Sequence, residues 1–383
     1  MSSHRQNEIS HKRHRRHKKQ ISVLCLLCLF WLITPSKAHE TLTTTVLFDR
    51  EIVRILDRHC VMCHSENGPS FPLETYEQTW LRGRKVRSEV IARHMPPWAS
   101  VQGYGQFIND NSLTLRETQF IVSWVEGLGP RNSGTVFTNV ADATGPRAAL
   151  RAKADFGHWQ LGPPALMRQI EGNIIEPVQG NLSKRTVVDL GLTAERRLRG
   201  LEYMPGDRHA VSAAFFTIQE SGQWIGSWTP WFGLVEAAPN SAYRLPAGAH
   251  VVAEIHYRNV KDRFVDRGTL GLYFADKPAP NTISDIVLDA KNAARSERFH
   301  GELTLPADTH ALAIRIEPAS GTKSVEVDER KIDGETQVLL FAKDIPEDWP
   351  TPYIFKNPVL LHRGSVLSVT SHSGPVKLTV SRY

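Results

Sequence analysis

The chain reads as an α plus β protein of several domains, a small helical unit followed by two antiparallel β-sandwich units. Three observations predict this. Apolar residues recur at helical spacing before residue 130. From residue 151 onward they fall in many short β-prone runs, cut by Gly- and Pro-rich turns with no regular helices between. Residues 131–150, rich in Gly, Ser, Thr, Asn and Ala, separate the two textures and read as a linker.

Residues 1–38 come first. The first twenty residues, mostly polar and crowded with Lys, Arg and His, precede the apolar run Ile21–Ile33, which is followed by Thr34-Pro35-Ser36-Lys37-Ala38. A basic region, a short apolar core and a Ser-x-Ala exit describe a secretory leader cleaved after Ala38. The run is short for a membrane span, and retention as an N-terminal anchor at the inner membrane is the alternative. Cys28 follows Leu27 where a lipid-attachment site wants a small residue. The whole chain carries 46 Lys or Arg against 40 Asp or Glu. Residues 1–38 hold eight of the basic and one of the acidic groups, leaving 38 against 39. Basicity therefore belongs to the leader, and nucleic-acid binding has no support. Cleavage also leaves Cys60 and Cys63 as the sole cysteines, so no wider disulfide framework exists.

The helical unit spans 39–130. Asp49–His59 places Ile52, Val53, Ile55 and Leu56 on one helix stripe and runs directly into Cys60-Val61-Met62-Cys63-His64. Two cysteines two residues apart with histidine next is the attachment pattern of c-type haem: each thiol adds to one vinyl group, and the imidazole is an axial iron ligand. A bare Cys-x-x-Cys would leave zinc or a dithiol open; as the sole cysteines left after cleavage, the two either bridge each other or carry haem, and His64 favours haem. Asn67–Pro72 breaks the helix as a loop under the porphyrin edge. Thr75–His94 is a second helix, anchored by Trp80, Val86, Val90 and Ile91, with Arg82, Arg84, Lys85 and Arg87 on a solvated face.

Met95-Pro96-Pro97-Trp98 then offers a thioether on a loop fixed by two prolines, and Met95 is the expected sixth ligand. A core methionine is the plainer reading, His94 is the competing ligand, and Met62 is poorly placed to cross the iron. Thr114–Glu117 is a capping box opening a third helix with Phe120, Ile121 and Trp124, expected to pack against the first. Trp80, Trp98 and Trp124 are expected to supply apolar packing for the haem.

In the second half, expected strands include Arg185–Asp189, Ala210–Ile218, Val251–Tyr257, Thr269–Phe274, Leu312–Ile316, Ser324–Val327, Val338–Phe341, Val366–Ser371 and Val376–Val380. The length suits two sandwiches, 151–276 and 277–383, with Lys277–Pro280 as boundary. Trp224, Trp228 and Trp231 concentrate aromatic surface for a cleft, a docking face or a sandwich core.

Residues 45–130 resemble the cytochrome c domain fused to bacterial proteins of the copper type II, ascorbate-dependent monooxygenase group. The resemblance rests on Cys60–His64, Gly68–Leu73, Tyr76, Trp80, Met95–Trp98 and the Trp124 helix. It implies a class I-like cytochrome c domain. Residues 155–383 resemble more faintly the tandem jelly-roll domains of the peptidylglycine-hydroxylating type, through Gly157–Gly162, Pro205–Arg208, Leu245–Gly248, Glu254–Tyr257 and Gly271–Phe274. The copper ligands of that family carry over poorly. Ser212-Ala213 stand where a histidine pair belongs, and His209 falls out of step with it. His256 matches one ligand, and Arg258 stands where a second histidine belongs. Ile314–Ser320 lacks the His-Met-His cluster. A relocated metal would need His300, His310, His362 and His372 to converge.

These readings lead to an exported, periplasmic mono-haem cytochrome c moving single electrons to a redox protein partner in the cell envelope. Its cofactor is one covalent haem c held by Cys60, Cys63, His64 and Met95, with no catalytic residue and copper not favoured. The alternatives are a copper monooxygenase fed by its haem domain and a structural haem subunit of an envelope redox complex.

Overall fold

The protein is described by a computed structural model covering residues 44–66, 68–132, 158–277, 279–291, 297–347 and 349–383. The expected leader and residues 133–150 of the expected linker lie outside these. Strands take up 45% of the chain and helices 13%, so the molecule is mainly antiparallel β-sandwich with a small helical unit.

The helical unit is tied at its ends. The backbone N–H groups of Phe48 and Asp49 donate to the carbonyls of Pro130 and Arg131 at 3.0 and 3.1 Å. A π-helical turn, Phe48–Ile52, runs into α1 (Val53–His59). Helix α2 (Tyr76–Ile91) opens on a capping box between Thr75 and Gln78. Helix α3 (Leu115–Glu126) opens on the expected box between Thr114 and Glu117. Each reciprocal cap satisfies two N–H groups that the helix itself leaves unpaired. The helices share a core of Ile52, Leu56, Val86, Val90, Ile121 and Trp124. Trp124 meets Phe48 at 5.9 Å and Tyr76 at 6.5 Å between centroids, and donates Nε1–H to the Pro130 carbonyl. An Arg87–Glu126 ion pair joins α2 to α3.

The expected β-prone runs fall within strands, except that the run from Ala210 enters its strand only at Val211. In the first sandwich, one sheet orders Leu166–Gln169, Thr269–Phe274, Arg196–Met204, Ser241–Leu245 and Asn281–Thr282, with Leu234–Glu236 also beside Arg196–Met204. The facing sheet orders Val178–Asp189, His250–Val260, Val211–Ile218 and Trp224–Trp228. Leu198, Leu201, Phe216, Trp228, Ile255 and Leu272 fill the space between them. Ile283 still belongs to this core, and the second sandwich begins at Ser284. Its sheets order Ser284–Ala290, Val376–Arg382, Thr309–Pro318, Tyr353–Leu361 and Arg298–Thr304, Val366–His372, Ser324–Arg330, Thr336–Lys343. Two four-stranded sheets in this order are consistent with a jelly roll.

The segment between α2 and α3 departs from the sequence expectation. Trp98, Ala99 and Phe107 are buried in the core of the second sandwich, and Trp98 packs on Tyr353 at 5.2 Å rather than on the helical core. Val101 N–H donates to the Phe341 carbonyl at 2.8 Å, and Lys343 N–H to the Ala99 carbonyl at 3.0 Å. Ile108 N–H reaches the Ile354 carbonyl and Lys356 N–H the Gln106 carbonyl, both at 2.8 Å. The strands so covered, Thr336–Lys343 and Tyr353–Leu361, are the outer strands of their two sheets. An outer strand exposes unpaired N–H and C=O groups, and this segment satisfies some of them on both sheets. Trp80, the other aromatic expected to pack inward, is 53% exposed.

Candidate functional site

Helix α1 ends at His59, and a turn carries Cys60 to His64 round its end. Cys60 N–H donates to the Leu56 carbonyl at 2.8 Å, and His64 N–H to the Cys60 carbonyl, also at 2.8 Å. The loop then folds back, with Ser70 N–H on the Cys63 carbonyl at 3.1 Å and Leu73 N–H on the His64 carbonyl at 2.7 Å. Gly68 permits this return: a Cβ there would stand 2.3 Å from the Cys63 carbonyl oxygen.

The turn forms one wall of a narrow, largely apolar cleft of about 60 Å³. Cys60, Cys63, His64 and Met95 all line it, with Phe71, Leu73, Val86, Val90, Pro96 and Pro97. The sequence-selected residues, drawn from the turn after α1 and the loop after α2, thus meet in one place. His94 is turned outward to Glu89 at 3.1 Å, and neither it nor Met62 lines the cleft.

The imidazole of His64 is oriented. Its Nδ1 lies 2.9 Å from the Phe71 carbonyl, which only accepts, so Nδ1 carries the proton. In the neutral ring Nε2 then holds the lone pair, the tautomer a metal-ligating histidine needs. Burial, opposed by that hydrogen bond and helped by the charges of Arg258, Lys85 and Arg82, lowers the pKa of His64 and favours the neutral ring. Burial pushes both thiols up to about 12, so neither is a reactive thiolate at neutral pH. Cys60 and Cys63 are free thiols. Paired neutral thiols, an oriented imidazole and a thioether around an apolar slot are the donor set that c-type haem requires.

His59 also borders the cleft, but its Nδ1 is held by the backbone and side-chain oxygens of Asn111 at 3.2 Å, and its Nε2 faces Glu117 at 3.3 Å. Two lining residues come from the sandwiches and carried no signal in the sequence near the motif. Arg258 belongs to the His250–Val260 strand, and Trp349 to a loop of the second sandwich. The Arg258 guanidinium sits 5.0 Å from the Trp349 ring centroid.

The copper positions take other partners. His256 Nε2 lies 2.9 Å from Glu254, whose other oxygen accepts from Arg185 at 2.8 Å. Arg315, from the Ile314–Ser320 stretch, reaches Glu254 at 3.2 Å and Glu317 at 3.5 Å, and lies over the Phe215 ring at 4.1 Å. Burial alone would raise the Glu254 carboxyl, but the His256 hydrogen bond and the Arg315 charge outweigh it and hold it near 2. His209 bonds its neighbour Asp207. His300 pairs with Thr370, His310 stacks on Tyr383, and His362 faces Glu329. Among the described residues no three His, Cys, Asp or Glu side chains converge as a metal site. The tryptophan concentration divides: Trp224 and Trp228 are buried, while Trp231 packs on Trp349 at 6.3 Å and donates Nε1–H to the Asn109 carbonyl.

No protein-family model and no curated protein matches the chain. Among solved structures, the major capsid protein P2 of bacteriophage PM2 is 13% identical, over 57% of this chain and 97% of that one, with a TM-score of 0.28. A two-domain protein of unknown function from Bacteroides fragilis is 10% identical over 56% and 94%, with a TM-score of 0.19. Allantoicase is 12% identical over 55% and 80%, also with a TM-score of 0.19. Likenesses at this level carry no functional argument.

Proposed function

We propose that this protein is an exported mono-haem cytochrome c that transfers single electrons to a protein partner in the cell envelope. Its helical unit is a class I-like cytochrome c domain, and its two jelly-roll domains serve as scaffold and docking region. The observation that carries this reading is the shared cleft of Cys60, Cys63, His64 and Met95, with the His64 proton committed to the Phe71 carbonyl. Cys60 and Cys63 would hold the haem covalently, and His64 and Met95 would ligate the iron from two separate segments. Bound there, the haem supplies reversible one-electron chemistry. The chain's own part is to exclude water with Phe71, Leu73, Val86 and Val90, and to fix the His64 ring. Two side-chain donors to the iron, His64 and Met95, would suit electron transfer rather than oxygen activation.

The test is to mature the full chain in an envelope that assembles c-type haem, then measure iron and copper per chain and the mass of the denatured protein. One iron, a mass raised by one haem and its loss in Cys60→Ala plus Cys63→Ala are expected. Met95→Ala should keep the haem but lower the reduction potential and alter the spectrum. A denatured chain lacking the haem mass, or one or two tightly held coppers, would overturn the reading.

A further inference from the structure

The haem cleft is not closed by the helical unit alone, and what closes it is charged. Its walls are apolar, yet Lys85 of α2 and Arg258 of the first sandwich stand in its lining, against one carboxylate, Glu89. Arg82 and Lys85 lie over the Phe71 ring at 4.6 and 5.5 Å from its centroid. An apolar slot with cations at its border suits a flat apolar group that carries anionic substituents on one edge.

Strand geometry explains how a residue so distant in sequence arrives there. Alternate residues of a strand share a face, so Glu254, His256 and Arg258 line up on one side of His250–Val260. Glu254 and His256 face the Arg315 network, and Arg258 extends past it into the haem cleft, lying against Trp349.

We propose that Arg258 is a cofactor-positioning residue, pairing with a propionate of the haem so that the first sandwich holds the cofactor's anionic edge. The inference rests on the haem reading above. A fixed positive charge beside the haem favours the reduced, less positive state and raises the reduction potential. Lys85 acts in the same direction from α2, more weakly because it is exposed.

The experiment compares wild type with Arg258→Gln, Arg258→Lys and Lys85→Gln, all full-length and haem-loaded. It reads covalent haem per chain by mass, the reduction potential by redox titration and folding by thermal melting. Arg258→Gln should keep its covalent haem and shift the potential downward, Arg258→Lys should restore most of the shift, and Lys85→Gln should give a smaller downward shift. Should Arg258→Gln fail to fold, Arg258→Leu is read in its place: a folded, haem-loaded Arg258→Leu protein with wild-type potential overturns the proposal. A folded, haem-loaded Arg258→Gln protein with wild-type potential overturns it alone, as do equal shifts in the Gln and Lys variants. Wild-type protein without covalent haem overturns the underlying function as well.

Discussion

At the residue scale, Glu254 shows how one strand position organises a junction. It accepts from His256, Arg185 and Arg315, and the Arg315 side chain is only 8% exposed. Removing one partner of such a buried pair leaves a desolvated charge, so Glu254→Gln should cost roughly 3 kcal/mol, the lower end of the usual range because Glu317 remains beside Arg315. Urea unfolding would measure it. The pH dependence follows from the sign of the shift. The carboxyl is held near 2 in the folded chain against an ordinary value of 4.5. Its contribution is therefore fully present above 4.5 and is lost as pH falls from 4.5 toward 2. Wild type should lose stability over that window, and Glu254→Gln should flatten that part of the profile. Equal slopes in the two proteins would count against the assignment.

At the element scale, the segment joining α2 to α3 does two things at once. Its first residues carry Met95 into the cleft, and the residues that follow cover the outer strands of the second sandwich. Phe107 is central: it contacts Trp98 at 6.0 Å, Tyr353 at 5.4 Å and Phe355 at 5.3 Å between centroids. Phe107→Ala should cost about 3 kcal/mol or more, as large-to-small changes in a packed core do. The loosened segment should also raise the emission wavelength of Trp98, which is 7% exposed in the intact chain. A variant with unchanged stability and emission would show that the segment is not held by this packing. Asn109 adds a polar anchor, donating Nδ2–H to the Pro352 carbonyl at 2.7 Å and accepting from Ile354 N–H at 3.1 Å.

At the scale of the whole molecule, the helical unit and the two sandwiches belong to one compact body from Thr44 to Tyr383. The cleft takes walls from both sandwiches through Arg258 and Trp349, and the helical unit lends Trp98 and Phe107 to the second sandwich core. A fragment of residues 39–132 would expose those two rings and open the cleft. It should bind a hydrophobic dye and melt well below the full chain, because the apolar area it exposes is buried only in the complete molecule. A sharp melt at the full-length temperature without dye binding would mean that the unit stands alone. Among the described residues no helix is long and apolar enough to cross a membrane.

The local chemistry was legible in the sequence, for a physical reason. Capping boxes, the turn after α1 and short apolar runs depend on neighbours a few residues away, so Thr114, Cys60–His64 and the core strands could be read directly. Strands such as Arg196–Met204 and Arg298–Thr304 were not, because Gly200, a buried Glu202 and Gly301 interrupt the β-prone residues within them. Proximity across the chain was decided by tertiary structure alone. Composition does not reveal that the segment after Met95 would leave the helical core for a sandwich edge, or that Arg258, from a strand about 190 residues after His64, would line the same cleft. Such placements depend on which outer strand needs covering and which strand face is left to meet another domain, and neither is encoded within a short window of sequence.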